Sequence, residues 1–254
     1  MTSTNADAGL PPPRVEEVSP GVFAFVQLDG SWGLNNTGFV VGQDAVLAID
    51  ACFTERRTRS LLEAIRHQAG QRPVRTLVNT HHHGDHTFGN HLFLPGATII
   101  WHHRCRETVL AEGLGAKGFF PGVHWGEIEI TPPSVTFEDR LDLWVDELKV
   151  ELIFVGPAHT TNDIVAWIPE RKLLFAGDVI FNGGAPFALA GSVEGWLEAL
   201  VRLRALGAET IVPGHGPIGG PEVIDEVAAY MRLVLDAARR GIEDPLRIDV
   251  ERGQ

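Results

Sequence analysis

Histidine and aspartate are concentrated in one short stretch of the sequence, residues 80–90, which reads THHHGDHTFGN. Within it, His81, His83, Asp85 and His86 form the pattern H-x-H-x-D-H. Neutral imidazoles and a carboxylate are ligands of the kind that suits zinc. On a turn that leaves a strand, the first two histidines can face one side while Asp85 and His86 face another. The pattern therefore indicates two metal ions and not one.

Three further candidate ligands lie later in the chain, each where an apolar segment is predicted to end. His159 follows ELIFVGPA, Asp178 follows KLLFAG, and His215 follows TIVPG. Functional residues collect at such strand ends in open α/β sheets. A single histidine in this position is more often structural than a ligand. Here, however, the three residues follow the H-x-H-x-D-H pattern along the chain, and together with it they predict a complete two-metal site.

Alternating strand and helix patterns are predicted to hold these residues in place. The hydrophobic pattern predicts strands at 21–28, 38–42 and 45–50, a helix at 55–69, and a strand at 75–80 that leads into the histidine stretch. A second half repeats the strand-then-helix pattern, which favours two sheets between outer helices. Its strands are predicted at 98–102, 135–137, 141–145, 148–155, 164–168, 172–176 and 210–214, with helices ending near 112, 206 and 241.

The length of 254 residues is sufficient for one α/β domain with a large core. The first residues are polar and end in three prolines, which predicts a disordered leader at 1–13. A single domain is predicted at 14–241 and a C-terminal tail at 242–254. The segment 113–133 combines glycine, proline and aromatic residues without a period, and we expect a long functional loop there.

Charge and hydropathy exclude several kinds of partner. The chain carries 21 Lys and Arg against 33 Asp and Glu, a net charge of −12, which argues against nucleic acid. No signal-peptide pattern and no apolar run of about 18 residues is present, so we expect no membrane association and a cytoplasmic location. The two cysteines have no metal-type spacing and are expected to be free thiols.

Together with PAHT, AGD and GHG further along, the histidine stretch resembles the metallo-β-lactamase superfamily, and the resemblance extends from about Val15 to Tyr230. It implies an α/β fold, an αββα sandwich with a dinuclear metal site at one edge of the two sheets. It also implies two zinc ions, with iron or manganese as alternatives. By this resemblance the first metal would be held by His81, His83 and His159, the second by Asp85, His86 and His215, and both by a bridging Asp178.

The residue at position 178 reduces the range of activities that the resemblance implies. β-Lactamases of the commonest subclass carry cysteine there, whereas thioesterases such as glyoxalase II, and lactonases, carry aspartate as this chain does. Segments 123–141, 150–163, 173–181, 186–193 and 214–225 resemble the bacterial aromatic polyketide cyclase/thioesterases of the superfamily.

We therefore predict a dinuclear zinc hydrolase that uses a metal-bridging hydroxide on an acyl thioester, with Asp85 and Asp178 taking part in catalysis. The substrate is expected to be a small molecule or a carrier-bound acyl group. A lactonase, esterase or aryl-ether hydrolase with the same metal site stays open, as does a subunit of a hetero-oligomeric hydrolase.

Aromatic side chains in loops flanked by glycine or proline are candidates for the walls of a substrate pocket. The segment 29–36 could fold over the metals as a flap and offer an asparagine as a hydrogen-bond donor. The predicted substrate-binding residues are Trp32, Asn35, Phe119, Phe120, Trp125, Phe181 and Phe187. An apolar stripe on the last helix is expected to pack on the body of the protein, and an oligomer built on it is the alternative.

Overall fold

The computed structural model of the chain describes residues 11–27, 33–186 and 190–243. Most of the predicted leader, residues 1–10, lies outside the described residues. So do residues 244–254 of the predicted tail and two predicted pocket residues, Trp32 and Phe187.

The described residues form two β-sheets. The first has seven strands in sequential order: β1 (Arg14–Ser19), β2 (Val22–Val26), β3 (Thr37–Val41), β4 (Val46–Ile49), β5 (Val74–Val78), β6 (Thr98–His102) and β7 (Val135–Phe137). The second has five strands, β8 (Arg140–Val145), β9 (Leu148–Phe154), β10 (Ile164–Ile168), β11 (Leu173–Phe181) and β12 (Thr210–His215), and β12 lies at one edge and β8 at the other. Strands β4 to β7 pair in parallel, as do β11 and β12.

The described α-helices are α1 (Glu55–Ala69), α2 (Gly84–Thr87), α3 (His103–Glu112), α4 (Val193–Leu206) and α5 (Glu222–Glu243). Short 3₁₀ turns occur at Asn90–Phe93, Gly115–Phe119 and Pro169–Arg171. Within the described part of the chain, no helix is long and apolar enough to cross a membrane.

Three layers of apolar packing show why the sheets and helices stack as they do. Between the sheets, buried residues of the first, such as Ile49, meet buried residues of the second, such as Phe175. Leu61 and Ile65 of α1 pack on the outer face of the first sheet. Trp196 of α4, with α5, covers the outer face of the second sheet. The predicted αββα sandwich is therefore confirmed.

The apolar stripe on the last helix packs on the body of the protein, as expected. Val223, Val227 and Met231 of α5 are at most 3% exposed and belong to the same apolar cluster as α4 and β11. Their burial within the chain gives α5 its position against the second sheet.

Helix boundaries agree with the sequence prediction where local caps define them. Thr54 precedes α1 and its hydroxyl accepts a hydrogen bond from the amide of Arg57, while Gly70 ends the helix at a φ of 66°. The hydroxyl of Ser192 caps α4 in the same way through the amide of Gly195. Such signals lie within four residues of the boundary, so sequence alone contains them.

Two strands differ from the sequence prediction. Strand β1 was not expected, because RVEEVS has few apolar residues; it forms as an edge strand paired with β2. Strand β11 was predicted at 172–176. It continues to Phe181 because β12 pairs alongside it, with a register shift at Gly177, whose φ is 52°. Asp178 consequently lies inside a strand and not beyond its end.

The two sheets approach each other closely at Gly38 of β3. A Cβ atom added there would overlap the ring of Phe175 on β11. Because a packed core yields poorly to added volume, we expect Gly38→Ala to lower the free energy of unfolding by about 1–3 kcal/mol in denaturant titration. Gly184→Ala is the matched control, since a Cβ there meets nothing within 4 Å. Equal stability of the two variants would show that the sheets can separate freely at this point.

Candidate metal centre

All seven predicted metal ligands meet at one edge of the sandwich. The chain leaves β5 and enters α2 through the segment that carries His81, His83, Asp85 and His86. The turn between β9 and β10 brings in His159, and the second sheet contributes Asp178 from β11 and His215 from β12. Segments that are far apart in sequence are thus joined by the two sheets.

Two groups of side chains have the geometry to hold a metal ion. One is His81, His83, His159 and Asp178, and the other is Asp85, His86, Asp178 and His215. In each group the candidate ligand atoms lie within 4.8 Å of one another. Asp178 belongs to both groups, as expected of a residue that bridges two ions. The assignment of these seven residues as ligands stays a prediction, and their arrangement fits it.

Oδ2 of Asp178 is the meeting point of the two groups. It lies 3.3 Å from Nε2 of His159 in the first group and 3.3 Å from Nε2 of His215 in the second. Its partner oxygen, Oδ1, lies 3.0 Å from Nε2 of His86. In the first group Nδ1 of His83 also lies 2.9 Å from Nε2 of His159. Spacings near 3 Å between ligand atoms are those that a common central ion produces.

Several buried polar atoms in this cluster are left without a hydrogen bond among the described residues. They are Nε2 of His81, together with Nε2 of His86 and Oδ1 of Asp178, which lie 3.0 Å apart but are not aligned for a hydrogen bond. More than about 90% of buried polar atoms in proteins are hydrogen-bonded, so three orphans in one place need a cause. Bound cations would satisfy all three, and the mixture of imidazole and carboxylate is a donor set that zinc, iron or manganese accepts. The residues present therefore fit a pair of metal ions.

Electrostatics keeps two histidines of the first group neutral. Burial lowers the pKa of His81 well below its usual value, and the neighbouring His86 lowers it further. Burial and then His159 likewise lower the pKa of His83. A neutral imidazole has a free lone pair, which is the form that binds a metal.

The second group is dominated by carboxylates. Burial alone would lower the pKa of His215, but Asp178 and then Asp85 raise it to about 10. Against the same effect of burial, Asp178 and Asp50 raise the pKa of His86 well above its usual value. Burial would raise the pKa of Asp85, yet His86 and His215 lower it to about 2. Protons on these histidines balance negative charge that bound cations would otherwise balance.

Asp50, at the end of β4, fixes the orientation of two ligands. Its Oδ2 accepts hydrogen bonds of 2.8 Å from Nδ1 of His86 and from the hydroxyl of Thr80. Because the Thr80 hydroxyl donates to Asp50, it accepts from Nδ1 of His81, at 3.1 Å. Both histidines are thereby left with Nε2 available for a metal. This geometry favours a role for Asp50 in orienting candidate metal ligands.

Asp163 stabilises the turn that carries His159. Its carboxylate accepts hydrogen bonds from the amides of Ala158 and Thr160 and from the Thr160 hydroxyl, all within 3.1 Å. Asp163 is fully enclosed, and burial raises its pKa. The turn, and with it the position of His159, is therefore fixed by local hydrogen bonds.

Gly214 leaves room for the carboxylate of Asp178. A Cβ atom at position 214 would overlap Oδ1 of Asp178, so the glycine allows strands β11 and β12 to bring their two ligands together. Asn36 holds this edge in place, since its side-chain amide donates to the carbonyls of Pro213 and Gly216 at 3.0 and 2.7 Å. The glycine before the ligand His215 thus has a steric function.

A cavity of about 700 Å³ opens in front of the two ligand groups. The ligands His83, Asp85, His159, Asp178 and His215 form its floor. Its apolar walls include Phe53, Phe119, Phe120 and Phe181, and one further carboxylate, Glu112, also lines it. A volume in this range is typical of a site for a small organic molecule.

The predicted substrate-binding residues occupy different positions around this cavity. Phe119, Phe120 and Phe181 line it. Trp125 lies behind the wall, where its ring meets that of Phe53 edge-on at 4.6 Å between centroids. Asn35 is fully buried and its amide donates to the carbonyl of Ala51, so the geometry favours a structural role for it. Trp32 and Phe187 lie outside the described residues.

Two large side chains of the cavity wall, those of Phe53 and Glu112, were not anticipated from the sequence. Phe53 follows the end of β4 by four positions, a strand-end position like those of the ligands, and this could have indicated it. Glu112 is the last residue of α3, and nothing in its sequence neighbourhood distinguishes it from other helical glutamates.

Residues 30–215 match the model of the family described as the metallo-beta-lactamase superfamily. One relative is the 2,4-dinitroanisole O-demethylase subunit alpha of a Nocardioides species, 26% identical over 204 residues that cover 80% of this chain and 55% of the relative. Another is the hydroxyacylglutathione hydrolase of Rhodospirillum rubrum, 32% identical over 136 residues that cover 54% of this chain and 45% of the relative. The chain spans about half the length of these two curated relatives.

Among solved structures, the metallo-beta-lactamase from Pontibacter korlensis superposes with a TM-score of 0.73. The superposition covers 87% of this chain and 99% of that one at 20% identity, and it shows a common fold.

Removing the negative charge of Asp50 is expected to weaken metal binding without removing a ligand. We expect Asp50→Asn to reduce zinc affinity about 10- to 100-fold, because the hydrogen bond that orients His86 loses its charge. Zinc binding is measured by competition with a chromophoric chelator. Asp44→Asn, a change at an exposed carboxylate, is the control. Unchanged affinity in Asp50→Asn would contradict the orienting role.

Zinc binding is also expected to release protons. His86 and His215 have raised pKa values in the metal-free cluster, so at neutral pH zinc must displace their protons. Affinity should therefore fall as the pH is lowered from about 8 to about 6. Calorimetric titrations in two buffers of different ionisation enthalpy measure the protons released. Identical heats in both buffers would show that these histidines are already unprotonated.

Proposed function

The chain belongs to the metallo-β-lactamase superfamily, and on this premise we propose that it is a dinuclear zinc hydrolase that cleaves acyl thioesters. The observation that carries the proposal is the arrangement of two ligand groups that share Asp178 at the floor of an aromatic cavity. Ligands without a cavity would suit a structural metal site. Here the ligands themselves line the space that a substrate would enter.

The choice of a thioester has two supports. The similar hydroxyacylglutathione hydrolase acts, by its name, on a thioester of glutathione. Aspartate, not cysteine, at position 178 is also what the thioesterases that this chain resembles carry. The proposal of zinc rests on the donor set, since five histidines and two carboxylates match the ligands that zinc commonly takes.

When bound, a pair of zinc ions lowers the pKa of a shared water molecule and polarises a substrate carbonyl. The side chains of the chain supply position and charge. Asp178 and Asp85 are ionised, because His215 and His86 lower the pKa of both carboxylates against the effect of burial. Oδ2 of Asp178 stands between the two ligand groups, where it can accept a hydrogen bond that orients the attacking water.

The reaction balances with water as the only co-reactant. The water oxygen forms a bond to the thioester carbonyl carbon, the carbon–sulfur bond breaks, and the products are a carboxylic acid and a thiol. One water proton ends on the departing sulfur. The buried rings of Phe53 and Phe181 limit the access of bulk water to this step, and the phenylalanine walls contact the acyl group.

A narrower form of the proposal is an aromatic polyketide cyclase/thioesterase. The aromatic walls support it, since flat conjugated rings pack well against phenylalanine. Analysis of the released acid for a newly closed ring would distinguish this form from simple hydrolysis.

The proposed activity predicts thiol release from a β-keto aryl thioester by the zinc-loaded protein. His83→Ala is expected to lower kcat/KM at least about 100-fold, because loss of a group that merely orients a ligand already costs 10- to 100-fold. Thiol is measured with a chromogenic disulfide reagent.

His67→Ala, at an exposed histidine of helix α1 that belongs to neither ligand group, is the matched histidine control and should retain activity. Absence of thiol release from protein shown to contain two zinc ions would exclude the thioesterase proposal. The same protein would then be tested on lactones, aryl esters and aryl ethers.

A further inference from the structure

We propose that Glu112 is a substrate-recognition residue, whose carboxylate accepts a hydrogen bond from an N–H or O–H group of an aromatic substrate. The inference rests on the proposed function only in taking the aromatic cavity as the substrate site. It adds the requirement that the substrate carry a hydrogen-bond donor, in a pocket whose other walls are apolar.

The position of Glu112 allows direct contact with a bound molecule. Glu112 is the last residue of α3 and lines the cavity together with Phe119 and Phe120. Its side chain is 61% exposed, so a ligand can reach it. It belongs to neither ligand group, and hence metal binding leaves its carboxylate available.

A buried pair of side chains holds this carboxylate in place. Oε2 of Glu112 lies 3.5 Å from Nε2 of His82, which is 4% exposed at its side chain. Nδ1 of His82 in turn lies 3.0–3.2 Å from the amide group of Asn162, which is fully buried. One oxygen of Glu112 therefore contacts a buried histidine that does not itself line the cavity. A carboxylate has about four acceptor positions, so others remain for a ligand.

The charge of Glu112 makes it a strong acceptor. Contact with His82 lowers its pKa, outweighing partial burial, and the group is ionised at neutral pH. Hydrogen bonds to an ionised acceptor are roughly twice as strong as those between neutral groups. Of the described carboxylates that line the cavity, Asp85 and Asp178 belong to the ligand groups, and Glu112 is left to interact with substrate.

These features define a class of substrate. It has an aromatic portion that packs against the phenylalanine walls and a hydrogen-bond donor at the distance of Glu112. An isolated polar group in an apolar pocket mainly fixes the orientation of the ligand. Glu112 would thus determine which carbonyl of the substrate faces Asp178 and the ligand histidines.

Three unreactive naphthalene probes test the proposal. N-(2-naphthylmethyl)acetamide offers an N–H donor, 4-(2-naphthyl)butan-2-ol offers an O–H donor, and 4-(2-naphthyl)butan-2-one has the same skeleton with no donor. Dissociation constants are measured by calorimetry on the zinc-loaded protein. We expect at least one donor probe to bind about tenfold more tightly than the ketone, as for a hydrogen bond to a charged group. The comparison of amide with alcohol identifies the donor.

Substitution of Glu112 should abolish this preference. Glu112→Ala is expected to bring the ratio of dissociation constants to about 1, and Glu112→Gln, which keeps a neutral acceptor, to an intermediate value. Glu107→Ala removes an exposed carboxylate from the same helix and should keep the wild-type ratio.

Three results would overturn the inference: no binding of any probe, no donor preference in the wild-type protein, or the same preference in Glu112→Ala. Because the probes contain no thioester, this outcome is independent of thiol release. Failure of the proposed function would appear as absent thiol release while the donor preference persists.

Discussion

The structure depends on placing one buried carboxylate, that of Asp178, between two sets of histidines. Its Oδ2 lies 3.3 Å from imidazole nitrogens of both His159 and His215. A buried charge is strongly unfavourable unless it is paired. Glycine at position 214 leaves the space for this carboxylate, and Gly177 before it adopts a φ of 52°. The strands, turns and glycines of this edge are arranged around that single requirement.

The sandwich supplies the rigidity that such a site requires. The candidate ligands come from the segment between β5 and α2, from α2 itself, from the β9–β10 turn, and from β11 and β12, and they converge because the two sheets share an apolar core. Asp50 then links the first sheet to the ligands by hydrogen bonds to Thr80 and His86. Candidate ligands held by packed strands would need little reorganisation on binding cations, and such pre-organisation favours affinity.

The cavity joins a charged floor to apolar walls. Electrostatic interactions are stronger where water is excluded, so the buried rings of Phe53 and Phe181 increase the influence of the carboxylates beside them. Phe53 connects these walls to the fold, since its ring contacts Phe88, Phe120 and Trp125. The long loop that carries Phe120 and Trp125 is attached to helix α1, where the carboxylate of Glu55 accepts a hydrogen bond from the amide of Glu127. The loop that lines the cavity is therefore also packed against the body of the protein.

The sequence by itself determined the candidate ligands and most elements, because their signals are local. The H-x-H-x-D-H spacing, the cap residues Thr54 and Ser192, and the apolar runs all lie within a few residues of what they specify. Tertiary structure decided the rest. Strand β1 exists only through its pairing with β2, and β11 extends past Gly177 only because β12 lies beside it. Likewise, Glu112 reaches the cavity and Asn35 turns to the carbonyl of Ala51 through contacts between segments distant in sequence, and such contacts leave no periodic trace in the sequence.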